Sequence, residues 1–161
     1  VVWTSLSFLS QFPPVWERDS SSPAEREFAE LVSERVPAGE QLLIPPDAMS
    51  LRFLSGRAVV VDFKAFPMTG SEMEEWMQRL ELVSGRTFEG LKGSSVLDAA
   101  ATSYDQRSFA SLEATAAAFD ARYLVVDKGS PAANEVLEAG SFNHWSAGEH
   151  LLVEVGIDDA A

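Results

Sequence analysis

The chain has no cysteine, which rules out disulfides, thiolate zinc sites and thiol nucleophiles together. The redox compartment stays open, because a cysteine-free domain suits cytosol and periplasm alike. Basic residues are scarce: 12 Lys and Arg stand against 25 Asp and Glu, for a net charge of −13. Such a surface repels phosphate backbones and anionic headgroups, so no nucleic acid is expected among the partners. The same charge can attract cations or basic partners, or simply keep the domain in solution. Gly-x-Ser-x-Gly, Walker A and Gly-x-Gly-x-x-Gly patterns are absent, so no cofactor is expected and no catalytic signature is in view. A long hydrophobic run is missing too. The uncharged opening, residues 1–10, is shorter than the roughly 20 residues needed to cross a bilayer. It also lacks the basic start of a signal peptide.

What is there suits one globular domain. With 161 residues, 46% of them hydrophobic, a chain can bury about two-thirds of its unfolded surface. It begins at Val1, not methionine, and is expected to be processed or cut from something longer. Residues 1–10 keep two readings: the trailing end of a membrane helix, with Trp3 and Trp16 in an interfacial belt, or a packing segment.

Ser22 and Glu25 fit a capping box with Pro23 in the first helical position, and Phe28, Leu31 and Val32 continue one apolar stripe. Residues 41–44 read as a strand closed by Pro45-Pro46, and a short helix is expected over 48–54. The run Ala58-Val-Val-Val61, apolar throughout, predicts a strand buried on both faces. It is expected at the centre of the sheet, between parallel strands over 41–44 and 123–126. Ser71 and Glu74 suggest a second capping box, before a face of Met73, Trp76, Met77 and Leu80. Helices are also expected around Leu97–Tyr104, around Phe109–Phe119, and from Pro131 to a stop at Gly140. Segments 142–145 and 151–155 flank Ser-Ala-Gly-Glu as a hairpin. The pattern predicts an α/β fold: a mostly parallel sheet with helices on both faces and a C-terminal antiparallel hairpin.

Charges placed just after apolar strands are the candidates for a site, since ligands in open α/β sheets bind beyond the carboxyl ends of strands. Asp62 and Lys64 project to one side if extended geometry continues, where they either grip a polar ligand or close the sheet end as an ion pair. Asp127 follows the strand at 123–126 in the same way, and Asp47 follows Ile44. Three aspartates on one rim can hold Mg²⁺ or Ca²⁺, although aspartate is also a common turn residue. His144 and His150 flank the hairpin turn, with Glu149 as the nearest further ligand; exposed edge-strand histidines are the plainer reading. Phe63, Phe66 and Pro67 form either a packed lid or a ligand wall.

The stretch Leu43-Ile-Pro-Pro-Asp47, the run from Leu51-Arg52 through Asp62, Lys64 and Pro67, the segment Glu75-Trp-Met-Gln-Arg-Leu80, and Ala121-Arg-Tyr-Leu-Val-Val-Asp127 together carry a resemblance. They resemble the C-terminal extracytoplasmic domain of bacterial, often cyanobacterial, polytopic membrane proteins of unknown function. Those proteins are distantly similar to membrane glycosyltransferases that use lipid-linked sugars. The resemblance covers about residues 37–155, most specifically Arg52 through Pro67. It implies that residues 1–16 are a membrane-helix remnant or linker and 17–161 a single domain on the extracytoplasmic face, tethered by an upstream transmembrane region. The implied partners are the membrane part of the same chain and a glycan or lipid-linked sugar. The domain would assist a reaction carried out elsewhere in the chain. The resemblance assigns no functional residues; Arg52, Asp62 and Lys64 are the polar members of its most specific part. The alternative is an enzyme, or a cation- or ligand-binding domain, acting at the strand ends through Asp62 and Lys64.

Overall fold

The computed structural model describes residues 21–63 and 69–156. Expectations for residues 1–16, and for Lys64, Phe66 and Pro67, fall outside them. In chain order the elements are α1 (Pro23–Arg35), β1 (Gln41–Leu43), α2 (Leu51–Ser55), β2 (Ala58–Val59), α3 (Gly70–Ser84), α4 (Ser94–Asp105), α5 (Phe109–Ala118), β3 (Tyr123–Asp127), α6 (Pro131–Ala139), β4 (His144–Ala147) and β5 (His150–Glu154).

Local chemistry sets most helix ends. The Ser22 amide donates to Glu25 Oε2 at 2.6 Å and the Glu25 amide to Ser22 Oγ at 3.2 Å, completing the capping box ahead of Pro23. Ser130 caps α6 in the same sense, and Gly140 ends it in the left-handed region at φ 62°, which glycine reaches without a steric cost. The expected Ser71–Glu74 box does not form. Thr69 has the extended backbone that an N-cap needs, so α3 begins at Gly70 and already contains Ser71.

The strands form one mixed five-stranded sheet in the order β2-β1-β3-β5-β4. Among the described residues, β1 pairs in parallel with β2 and β3, while β3–β5 and β5–β4 are antiparallel. The expectation of a mostly parallel sheet is therefore corrected: the C-terminal hairpin enters the sheet through β5 and contributes as many pairings as the parallel part.

The run at 58–61 is not central either. Among the described residues, it sits at the sheet edge and pairs only with β1. Val60 and Val61 are nonetheless buried, in the same cluster as Trp76 of α3. Their apolar character reflects burial against a helix as the chain leaves the ladder, and composition does not separate that from burial in mid-sheet.

Strand parity divides the core. Leu42, Ile44, Tyr123, Val125 and Leu152 pack with Phe28 and Val32 of α1 and Leu51 of α2. The alternating residues Leu43, Leu124, Val126, Leu151 and Val153 pack with α3 to α6, among them Trp76, Leu80, Tyr104 and Leu112. This is the two-residue period of a pleated strand expressed as two apolar clusters. No described helix is long and apolar enough to cross a membrane.

Candidate functional site

The chain leaves β1 for β2 on one side and reaches β3 on the other. The gap between β1 and β3 is thus a switch point of the kind where open sheets leave a crevice. Two polar corners lie along the carboxyl ends of these parallel strands, one after β2 and one around β1, β3 and the start of β5.

The first corner follows β2. Asp62 is buried, and its side chain is only 2% exposed. Arg52 reaches it from α2, Nη1 to Oδ2 at 3.5 Å, with 45% of the arginine side chain still exposed. The short helix is held by buried Leu51, by the Ser55 hydroxyl donating to the Leu51 carbonyl at 2.6 Å, and by left-handed Gly56. From α3 the Trp76 indole N–H donates to the Asp62 carbonyl at 3.1 Å. Phe63 packs edge-on against that indole, 5.1 Å between ring centres, so Phe63 belongs to the packing. Beside Arg52 and Asp62 opens a pocket of about 290 Å³, whose wall carries Glu72, Glu75 and Arg79 of α3. Arg79 and Glu75 are themselves an ion pair one helical turn apart.

The second corner gathers four acids around one histidine. Asp127 ends β3, His150 opens β5, and the two are direct partners in the antiparallel ladder. His150 Nδ1 lies 2.6 Å from Asp127 Oδ1, and its ring leans on Phe28 at 5.0 Å. The hydrogen bond to Asp127 is the main reason the imidazole titrates above its usual range, against the opposing effect of burial; the charges of Asp127, Asp47 and Glu25 add to the rise. Asp105, at the end of α4, is pushed up to about 6, first by burial and then by the charges of Asp127 and Asp47. Its Oδ1 is buried without a hydrogen-bond partner. Asp47 is raised as well, by desolvation and by Asp127. Glu25 is lowered, chiefly because it accepts the Ser22 backbone N–H. The Ser50 hydroxyl donates to its other oxygen at 3.0 Å.

The three strand-end aspartates therefore do not make one rim. Asp47 and Asp127 share the second corner with His150, while Asp62 turns to Arg52 at the sheet edge. No group of three or more His, Asp or Glu among the described residues can hold a metal ion. His150 is also not an exposed edge histidine. It lies on an inner strand and is half-buried, whereas His144 is exposed on β4 opposite Val153 and does not face it. Sequence reasoning passed over Glu25 and Asp105. Glu25 was visible only as a capping residue, and Asp105 is one acid among many until α4 brings its end to the sheet.

A family model described as a domain of unknown function (DUF6798) matches residues 23–83. That stretch runs from α1 into α3 and contains Arg52, Asp62, Glu25 and Asp47, but neither Asp127 nor His150. No curated protein and no solved structure matches the chain.

Proposed function

We propose that the chain is a non-catalytic accessory domain of a longer polytopic membrane protein, held at the extracytoplasmic face of a bacterial membrane, where it positions a sugar-like acceptor or a lipid-linked glycan. The reading takes the domain as an α/β sheet clothed by helices on both faces, with its ligand in the Arg52–Asp62 pocket. The observation that carries it is the open space of about 290 Å³ beside that ion pair. The wall alternates acceptors (Asp62, Glu72, Glu75) with donors (Arg52, Arg79). Hydroxyl groups both donate and accept, so a polyhydroxylated ligand can satisfy such a wall, and charge-assisted bonds of this kind are the stronger ones. The resemblance to glycosyltransferase-associated membrane proteins supports the setting.

The test is titration of wild-type protein and Asp62→Asn with neutral and acidic mono- and oligosaccharides, followed by amide chemical shifts. A sugar that moves resonances around Arg52 and Trp76 in wild type, and binds at least about tenfold more weakly to the variant, matches the loss of one charged hydrogen bond. Equal silence from both proteins would leave Arg52–Asp62 as a structural clasp of the sheet end. Fractionation of the full-length protein tests the setting: it should sediment with membranes and be cleaved by protease added from outside.

A further inference from the structure

Histidine 150 has a geometric route to the Arg52 pocket. Its ring, the Glu25 carboxylate, Ser50 and Leu51 line one small cavity of about 30 Å³ between α1, α2 and the sheet. Glu25 is bound on both sides: one oxygen accepts the Ser22 amide of the α1 cap and the other accepts the Ser50 hydroxyl. Ser50 is the residue before α2, Leu51 is its buried anchor, and Arg52 comes next. A helix of five residues has too few internal hydrogen bonds to hold its own position, so where Arg52 points depends on how Ser50 and Leu51 are seated.

We propose that the His150–Asp127 pair is a protonation-controlled clasp that regulates the Arg52–Asp62 pocket through Glu25 and Ser50. The charged groups acting around it come from each neighbouring element: Glu25 from α1, Asp47 from the β1–α2 connection, Asp127 from β3 and Asp105 from the end of α4. Lys128 does not replace the imidazolium, because its ammonium is bonded to the Gly148 carbonyl. As imidazolium, His150 donates to Asp127 and offsets the mutual repulsion of the carboxylates, so Glu25 stays seated under Ser50. As neutral imidazole it keeps one hydrogen bond but no charge. The acids then repel one another, the start of α2 loosens, and Arg52 loses its hold on Asp62. The pocket is ordered at lower pH and loosened above the midpoint of His150.

This regulation rests on the Arg52–Asp62 pocket being the ligand site, but its test needs no ligand. In wild-type protein, proton and nitrogen resonances of His150, the Arg52 Nε–H and the Trp76 indole N–H are followed from about pH 5 to 9. The indole reports on Asp62 because it donates to the Asp62 carbonyl. The expected result is one shared midpoint for all three. In His150→Gln the Arg52 and Trp76 signals should show no transition over that range. In Glu25→Gln, which keeps the capping box, His150 should still titrate while the other two stay still. Arg52 and Trp76 signals that stay flat while wild-type His150 titrates, or that keep their transition in His150→Gln, would overturn the proposal. If the coupling is seen and no sugar binds, the clasp stands and the ligand reading fails. If a sugar binds and the signals are uncoupled, the reverse holds.

Discussion

At the edge of the sheet, Arg52 and Asp62 stand beside about 290 Å³ of open pocket, whereas at its centre Glu25 and His150 border only about 30 Å³. The edge corner has nearly balanced charge, three carboxylates against two guanidinium groups. The central corner has four carboxylates around one imidazole. Both lie at carboxyl ends of strands, so position alone does not separate them. Volume does: a ligand needs room, while a concentration of like charge without room acts on the protein that contains it, through pKa shifts and pH-dependent stability. A search for sites by charge alone would have chosen the corner with less room.

The largest effect should come from Trp76→Ala, which empties a buried site and removes the donor to Asp62. A loss of about 3–5 kcal/mol in urea unfolding is expected; a loss under about 1 kcal/mol would show that the edge corner is not packed, and its pocket would then lose its fixed shape.

Asp105→Asn should act in the opposite sense. The folded carboxyl titrates near 6 against an ordinary 3.8. Wild-type stability therefore falls as pH rises from 3.8 through about 6, and the neutral amide escapes that fall. A gain of about 1–2 kcal/mol near pH 8, after discounting for solvent screening, and none near pH 4 is expected from unfolding curves at the two pH values. A gain of equal size at both would remove the charge explanation.

His150→Gln should cost about 1 kcal/mol, the scale of one net hydrogen bond, with a definite pH sign. The folded imidazole titrates above its usual 6.5, so the wild-type advantage is complete below that value and disappears as pH rises through the folded midpoint. An advantage that grew with pH would contradict the cationic clasp.

The smallest stability effect belongs to Arg79→Ala. Its exposed pair with Glu75 is worth about 0.3–0.5 kcal/mol, yet the same change should weaken any sugar whose binding also depends on Asp62. Unchanged sugar affinity would place the ligand away from the α3 wall.

Several features were legible in the sequence because they depend on near neighbours. The Ser22–Glu25 box, the Ser130–Pro131 start and the Gly140 stop are settled within a few residues. So are the strands after Gln41 and Tyr123 and the hairpin, shortened to a two-residue turn between Ala147 and His150. The ion pair expected for Asp62 was with Lys64, which lies outside the described residues; the partner found is Arg52, only a short stretch of chain away.

Other features were decided only by tertiary structure. Nothing in Ala58-Val-Val-Val61 tells that Val60 and Val61 are buried beside Trp76 and not between strands, while Ala58 is exposed, because hydrophobicity records the loss of water and not the identity of the neighbour. The order β2-β1-β3-β5-β4, and with it the mixed character of the sheet, depends on contacts between segments far apart in the chain. The pair of Asp127 with His150 spans 23 residues, and Asp105 and Glu25 join it from still other elements. Each is an ordinary polar residue in its local context. The shifted titration of His150 and Asp105 arises from a hydrogen bond across the sheet, burial and neighbouring charge, and those exist only once the strands and helices have met.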